Sequence, residues 1–359
     1  MNRIYRLVFN HALGQVQVAS ELGASPRAKT GATRHLPAGV RLTPLALGLL
    51  LSVGSLGVMA QSLPGGGSIV SGSGQIGAPD GNQLIINQAS DKLAINWQSF
   101  NIGAGQKVTF NQPGTNSIAL NRVLGVDGSV IMGQLDANGR VFLVNPNGIL
   151  FGAGAQVNVG GLVASTLGIS DADFIAGNYR FKGDGSNAAV INHGTLSASA
   201  GGAIALLGGR VSNHGVIVAN QGSVALAAGD AMTLDFAGNG LLNLRVDEGM
   251  VDALVENHQL IRADGGQVLL TAHAGDALLR TVVNNTGVIE ARTLGEKDGR
   301  IVLLGDFDGG VVNVAGTLDA SAPDGCNGGF IETSGAHVRI ADDVKVTTLA
   351  EPGRGRTGE

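Results

Sequence analysis

Cysteine occurs once in the 359 residues, at Cys326, which leaves no partner for an intrachain disulfide and no cysteine-built zinc site. Charged residues are 14% of the chain and aromatics 4%, against about 25% charged in an average protein. So little charge argues against surface helices, whose outer faces need it. Six of the 23 basic residues and one of the 28 acidic residues lie in 1–60, so 61–359 carry 17 basic against 27 acidic. An acidic body without a basic stripe excludes nucleic acid as a partner. Apolar runs long enough to span a membrane, about 18 residues, are missing too. The run Leu45–Met59 is shorter and is broken by Gly48, Gly54 and Gly57.

Glycine and aliphatic residues fill the space. Glycine is 58 of 359 residues and hydrophobic residues are 44%, with glycine at more than twice its usual share of about 7%. Glycine weakens helix interiors and serves tight turns. The composition therefore predicts an all-β fold with many short strands.

The N-terminus reads as an address. Arg34 and Arg41 precede the apolar run, which ends Val58-Met59-Ala60. Small or aliphatic residues at these positions predict a secretory signal cleaved between Ala60 and Gln61. Ahead of it lies an unusual extension, Met1-Asn2-Arg3-Ile4-Tyr5-Arg6-Leu7-Val8-Phe9-Asn10 followed by Gln15–Glu21.

From residue 61 the chain repeats itself. Asn192-His193-Gly194-Thr195-Leu196 recurs from Asn213, Asn257 and Asn285, and more loosely from Asn313. The interval from 213 to 257 reads as two steps; the others are 21 to 28 residues. A second phrase follows each first one: Gly202, Gly222, Gly266, Gly299 and Gly329 precede Ile204, Val224, Val268, Ile301 and Ile331. Two residues on come Leu206, Leu226, Leu270, Leu303 and Thr333. Period-two spacing puts both positions on one strand face. The pattern predicts a right-handed parallel β-helix over 61–350, N-capped by short antiparallel strands, with equivalent aliphatics stacked into one core. Asp247 to Glu256 is the one segment that reads as a short helix, or equally as a loop.

Other patterns lead to less. Gly72-Ser73-Gly74-Gln75-Ile76-Gly77 matches a dinucleotide-binding spacing, but no helix pattern follows, so no cofactor is expected. His193, His214 and His258 share one repeat position, with Thr286 and Val314 in later copies. They lack an acidic or cysteine partner in the phrase, so no metal is expected. β-Helices include polysaccharide-cleaving enzymes, which need clustered acids beside a basic residue. Asp342-Asp343 is the only adjacent aspartate pair, and no catalytic residue is assigned. Cys326 reads as a loop residue, and Asn284-Asn285-Thr286 is a lone glycosylation-type sequence.

Specific phrases carry a family resemblance. The extension at 1–21 resembles the extended signal peptide of very large secreted proteins of Gram-negative bacteria. Ser117-Ile118-Ala119-Leu120-Asn121-Arg122-Val123 and Val141-Phe142-Leu143-Val144-Asn145-Pro146-Asn147-Gly148-Ile149 resemble the secretion domain of two-partner-secretion exoproteins, the filamentous-haemagglutinin type. Ile95–Gly103, Gly161–Thr166 and Gly328–Gly335 support it, the last being similar to the high-molecular-weight adhesin branch. The second Asn-Pro-Asn-Leu motif of some relatives is absent.

The resemblance implies a secreted or surface adhesin or haemagglutinin domain, not an enzyme. It implies export through the periplasm, recognition by the periplasmic modules of a dedicated outer-membrane β-barrel transporter, and folding outside. Host-cell or neighbouring-cell receptors would be further partners. Alternatives are the export domain of a contact-dependent toxin or cytolysin whose payload is missing here, or a β-helical polysaccharide-cleaving enzyme. No barrel-forming C-terminal segment of alternating strands argues for an autotransporter. The expected organisation is a signal peptide at 1–60, a secretion-domain core at 61–180, further coils at 181–350 and a polar tail at 351–359. That tail reads as too short to cap the last coil, which suggests a chain cut short.

Asn145, Pro146, Asn147 and Gly148 are the candidate secretion motif. Proline presets φ at the second position of a turn, asparagine suits the third, and glycine accepts positive φ at the fourth. The Asn145 side chain can close the turn. Gly148→Val is expected to be the harshest change and Asn145→Ala a milder one, costing about 1 kcal/mol. These four residues make a turn between strands 140–144 and 149–151.

Overall fold

The computed structural model describes residues 5–10, 15–20, 63–236, 241–275, 282–351 and 355–359. The chain divides into two compact units, Met1–Val58 and Met59–Glu359. In the first, Tyr5–Asn10 pairs antiparallel with Gln15–Ser20.

In the second unit, alternation of apolar and polar residues closes the chain into coils. From Lys107 onward each coil gives one strand to each of three parallel sheets, and the first coil reaches the third only through the Ile102–Ile131 bridge. The first sheet runs from Gln83–Gln88 through Gln134–Ala137 to Lys345–Thr347. The second runs from Lys92–Trp97 through Arg140–Val144 to Phe330–Ser334, and the third from Ser129–Ile131 through Ile149–Phe151 to His337–Ile340. The register is the one the repeats predict. Ile204, Val224, Val268, Ile301 and Ile331 are successive neighbours, and so are Leu206, Leu226, Leu270, Leu303 and Thr333. One continuous core runs from Leu63 to Ala320. Each fully enclosed aliphatic residue in it contributes about 1.5–3 kcal/mol. The N-terminal end is closed by antiparallel strands: Ser68–Ser71 pairs with Lys92–Trp97, and Gly74–Ile76 with Gln83–Gln88. The Gly72–Gly77 stretch therefore belongs to these cap strands.

Two expectations are corrected and one open reading is resolved. The interval from Asn213 to Asn257 is one coil, because the two residues are direct neighbours in the third sheet. The surplus loops out between sheets as Ala231–Phe236 and Leu242–Glu248. The segment 247–256 is not a helix. It joins Leu242–Glu248 to Leu254–Asn257 through a turn in which Asp252 takes φ 56°. Val255 points inward there because it stacks between Val211 and Val283. The last copy shifts by one residue: Asn313 pairs with Asn284 and Val314 with Asn285, so Ala315, not Val314, takes the histidine slot.

The looped-out strands join Tyr179–Lys182 in a three-stranded antiparallel sheet. With a short helix, Asp171–Ala176, it covers the outer face of the second sheet and makes a second core. The helix starts at Ser170, whose Oγ accepts from Asp173 N at 3.0 Å, and stops at Gly177 with φ 82°. Arg122 holds its start by donating to Ile169 O and Asp171 Oδ1, and Lys92 donates to the carbonyls of Phe174 and Ile175 at its end. The polar tail also does more than expected. Ile331 N donates to Glu359 O at 2.8 Å and Gly328 N to Arg356 O at 2.7 Å, across the last coil.

Candidate functional site

The predicted turn forms where the second sheet hands over to the third. Strand Arg140–Val144 enters it and Ile149–Phe151 leaves it. Gly148 N donates to Asn145 O at 3.1 Å, closing the four-residue turn, and Gly148 sits at φ 111°. Asn145 Oδ1 accepts from Asn147 N at 3.0 Å, the side-chain closure expected of asparagine.

Asn145 is far more embedded than a turn residue need be. It is fully buried. Its Nδ2 donates to Asp127 O and Ser129 Oγ, both at 3.0 Å, and its N–H donates to Ser165 O at 2.9 Å. One side chain thus ties the turn to the coil before it, while its N–H reaches the coil after. Asn147 is exposed, and its Nδ2 reaches Gly125 O at 2.9 Å. The turn is a stitched layer, not a free loop, and its exposed surface is chiefly Asn147 and the half-buried edge of Pro146.

The entering strand is gripped on both faces. Val141 and Leu143 lie in the inner core, and Phe142 and Val144 in the outer one. Phe142 meets Tyr179 at 5.4 Å, Phe236 at 6.1 Å and Phe181 at 6.2 Å between ring centroids. The buttresses Asp127, Ser129 and Ser165 escaped the sequence reading. Their only signal was position, about one coil away on either side.

Ala60 and Gln61, the expected cleavage point, lie outside the described residues. Asp342 and Asp343 are exposed beside the last coil, and Cys326 is a free, half-buried thiol. Asn284 lies within an outward ladder, accepting from Asn313 Nδ2 at 2.6 Å. Among the described residues, no group of three or more His, Cys, Asp or Glu is placed to hold a metal.

Comparison with known proteins decides what this architecture is. Residues 60–320 match the family of the TPS secretion domain, and residues 1–51 match the extended signal peptide of the type V secretion system. The chain belongs to the two-partner-secretion domain family. Over 69% of its length it is 35% identical to a heme/hemopexin-binding protein of Haemophilus influenzae, covering 28% of that protein. A second heme/hemopexin-binding protein of that species is 30% identical over 74% of the chain, covering 30% of its own length. The chain thus spans under a third of these relatives. Toxin CdiA of Yersinia pestis is 27% identical over 93% of the chain, which covers 11% of the toxin. Among solved structures, the HMW1 secretion domain from Haemophilus influenzae superposes with a TM-score of 0.70 at 32% identity, covering 79% of this chain and 73% of that one. The two-partner-secretion domain is exported across both membranes of a Gram-negative cell to its surface or surroundings, by way of an outer-membrane transporter.

Proposed function

We propose that this domain delivers an adhesin-type exoprotein, and that the turn Asn145–Gly148 supports its passage through the barrel transporter. The periplasmic modules of that transporter bind the domain before it folds. The signal is removed between Ala60 and Gln61, 61–180 forms the secretion core, and 181–350 adds coils. The exposed product engages receptors on host or neighbouring cells. The observation that carries this reading is the stacked register of coils from a capped N-terminal end. Each coil is stabilised by the one before it, so folding can follow the chain as it emerges. No reaction chemistry is assigned, in keeping with a family described by secretion.

A second reading, an export domain for a contact-dependent toxin, is favoured by the likeness to toxin CdiA along 93% of the chain. The adhesin reading rests on the greater identity to the heme/hemopexin-binding proteins and to the HMW1 domain.

The test is co-expression with the cognate transporter, comparing periplasmic with extracellular protein for wild type, Asn145→Ala and Gly148→Val. Both variants should reach the periplasm and accumulate poorly in the medium. Wild-type extracellular yield from both would remove the turn from export.

A further inference from the structure

The repeated Asn-His pair builds two columns. Asn192, Asn213, Asn257 and Asn285 are buried, each Nδ2 donating to the Oδ1 of the next at 2.8 Å, and Asn285 ends the ladder on Ala315 O. The following residues, His193, His214 and His258, turn outward and are exposed. Their rings stack. His193 and His214 have centroids 4.9 Å apart at 16°, and His214 and His258 are 4.5 Å apart at 14°.

Such a stack suits neutral imidazoles. Protonated rings at this spacing repel one another, and the buried ladder beneath fixes their distance. Few groups compensate. Ser212 Oγ contacts His214 Nε2 at 2.9 Å, and Thr286 Oγ1 contacts His258 Nδ1 at 2.9 Å; both are uncharged. From the neighbouring strand, Asn284 is spent on Glu256 Oε1. The charged group facing the stack is Glu256, 3.6 Å from His258 Nε2. One carboxylate faces three rings. Burial, with His258 and His193 on either side, holds His214 below the ordinary histidine range, while Glu256 opposes the shift.

We propose that the His193–His214–His258 stack is a proton-sensitive column that loosens the middle coils as the surroundings turn acidic. Folded His214 binds its proton less readily than the unfolded chain does. Its contribution to stability is therefore present above the ordinary value of about 6.5 and is lost as pH falls below it. The device is confined to three coils, because Thr286 and Ala315 occupy the slot afterwards.

The experiment is thermal unfolding of the exported protein between pH 8 and pH 5, for wild type, His214→Gln and Glu256→Gln. The wild-type Tm should fall by about 2 °C or more. His214→Gln should show less than half that fall, and Glu256→Gln a steeper one. The His214 imidazole C–H resonance of the wild type, followed by NMR, should titrate below the ordinary histidine midpoint. An equal fall in wild type and His214→Gln, a flatter profile in Glu256→Gln, or a His214 ring titrating at the ordinary midpoint would overturn the proposal.

Discussion

Asn145 shows how a residue chosen for a turn comes to hold coils together. Losing its side chain would leave Ser129 Oγ unpaired in the core and release the bonds to Asp127 O and Asn147 N, which belong to exposed residues. Buried groups left unpaired cost about 1–3 kcal/mol each. The milder effect expected for Asn145→Ala from one hydrogen bond is therefore revised upward. At Gly148 an added Cβ would meet only Ala189 O, at 3.4 Å, so the penalty for valine is chiefly that of φ 111°. Gln221 poses the reverse case. It sits at φ 58°, where the matching turns of the coils on either side use Gly201 at 78° and Gly265 at 68°. A non-glycine residue held in this region costs about 1–2 kcal/mol. Gln221→Gly should raise the unfolding free energy by about 1 kcal/mol, read as a higher urea midpoint. An unchanged or lower midpoint would mean that the exposed contact from Lys297 to Gln221 matters more than the backbone.

Among elements, strand Arg140–Val144 lies between two cores. Its alternation was plain in the sequence, and so was the turn after it. What covers its outer face was not. The strand Tyr179–Lys182 and the hairpin of Ala231–Phe236 with Leu242–Glu248 come from insertions that break the repeat spacing, so the interval 213–257 looked like two regular steps. The helix Asp171–Ala176 carried a capping serine and a stop glycine, but six residues are too few to show a 3.6-residue period. The aromatic cluster around Phe142 joins distant insertions, a contact that no local pattern reports. Phe142→Ala should destabilise the domain by about 3–5 kcal/mol, read as a lower urea midpoint. A loss under about 1 kcal/mol would show that the outer layer is not anchored there.

At the scale of the whole molecule, the coil register was the most legible feature. Stacked aliphatics repeat in sequence because they repeat in space, and the Asn and Gly that end each strand mark the corners. The site was legible as a turn but not as a buttressed layer, since the partners of Asn145 lie one coil away and have no motif of their own. The family match for residues 60–320 joins this fold to a secretion route, and the absence of paired cysteines suits the passage of an unfolded chain proposed above. That route makes secretion depend on one partner. The direct measurement is the amount of extracellular protein when the chain is expressed with and without its cognate outer-membrane transporter, with the periplasmic pool measured in both. Abundant extracellular protein with the transporter, and only periplasmic protein or its breakdown products without it, is the result this account predicts. Equal extracellular yield in both strains would contradict it.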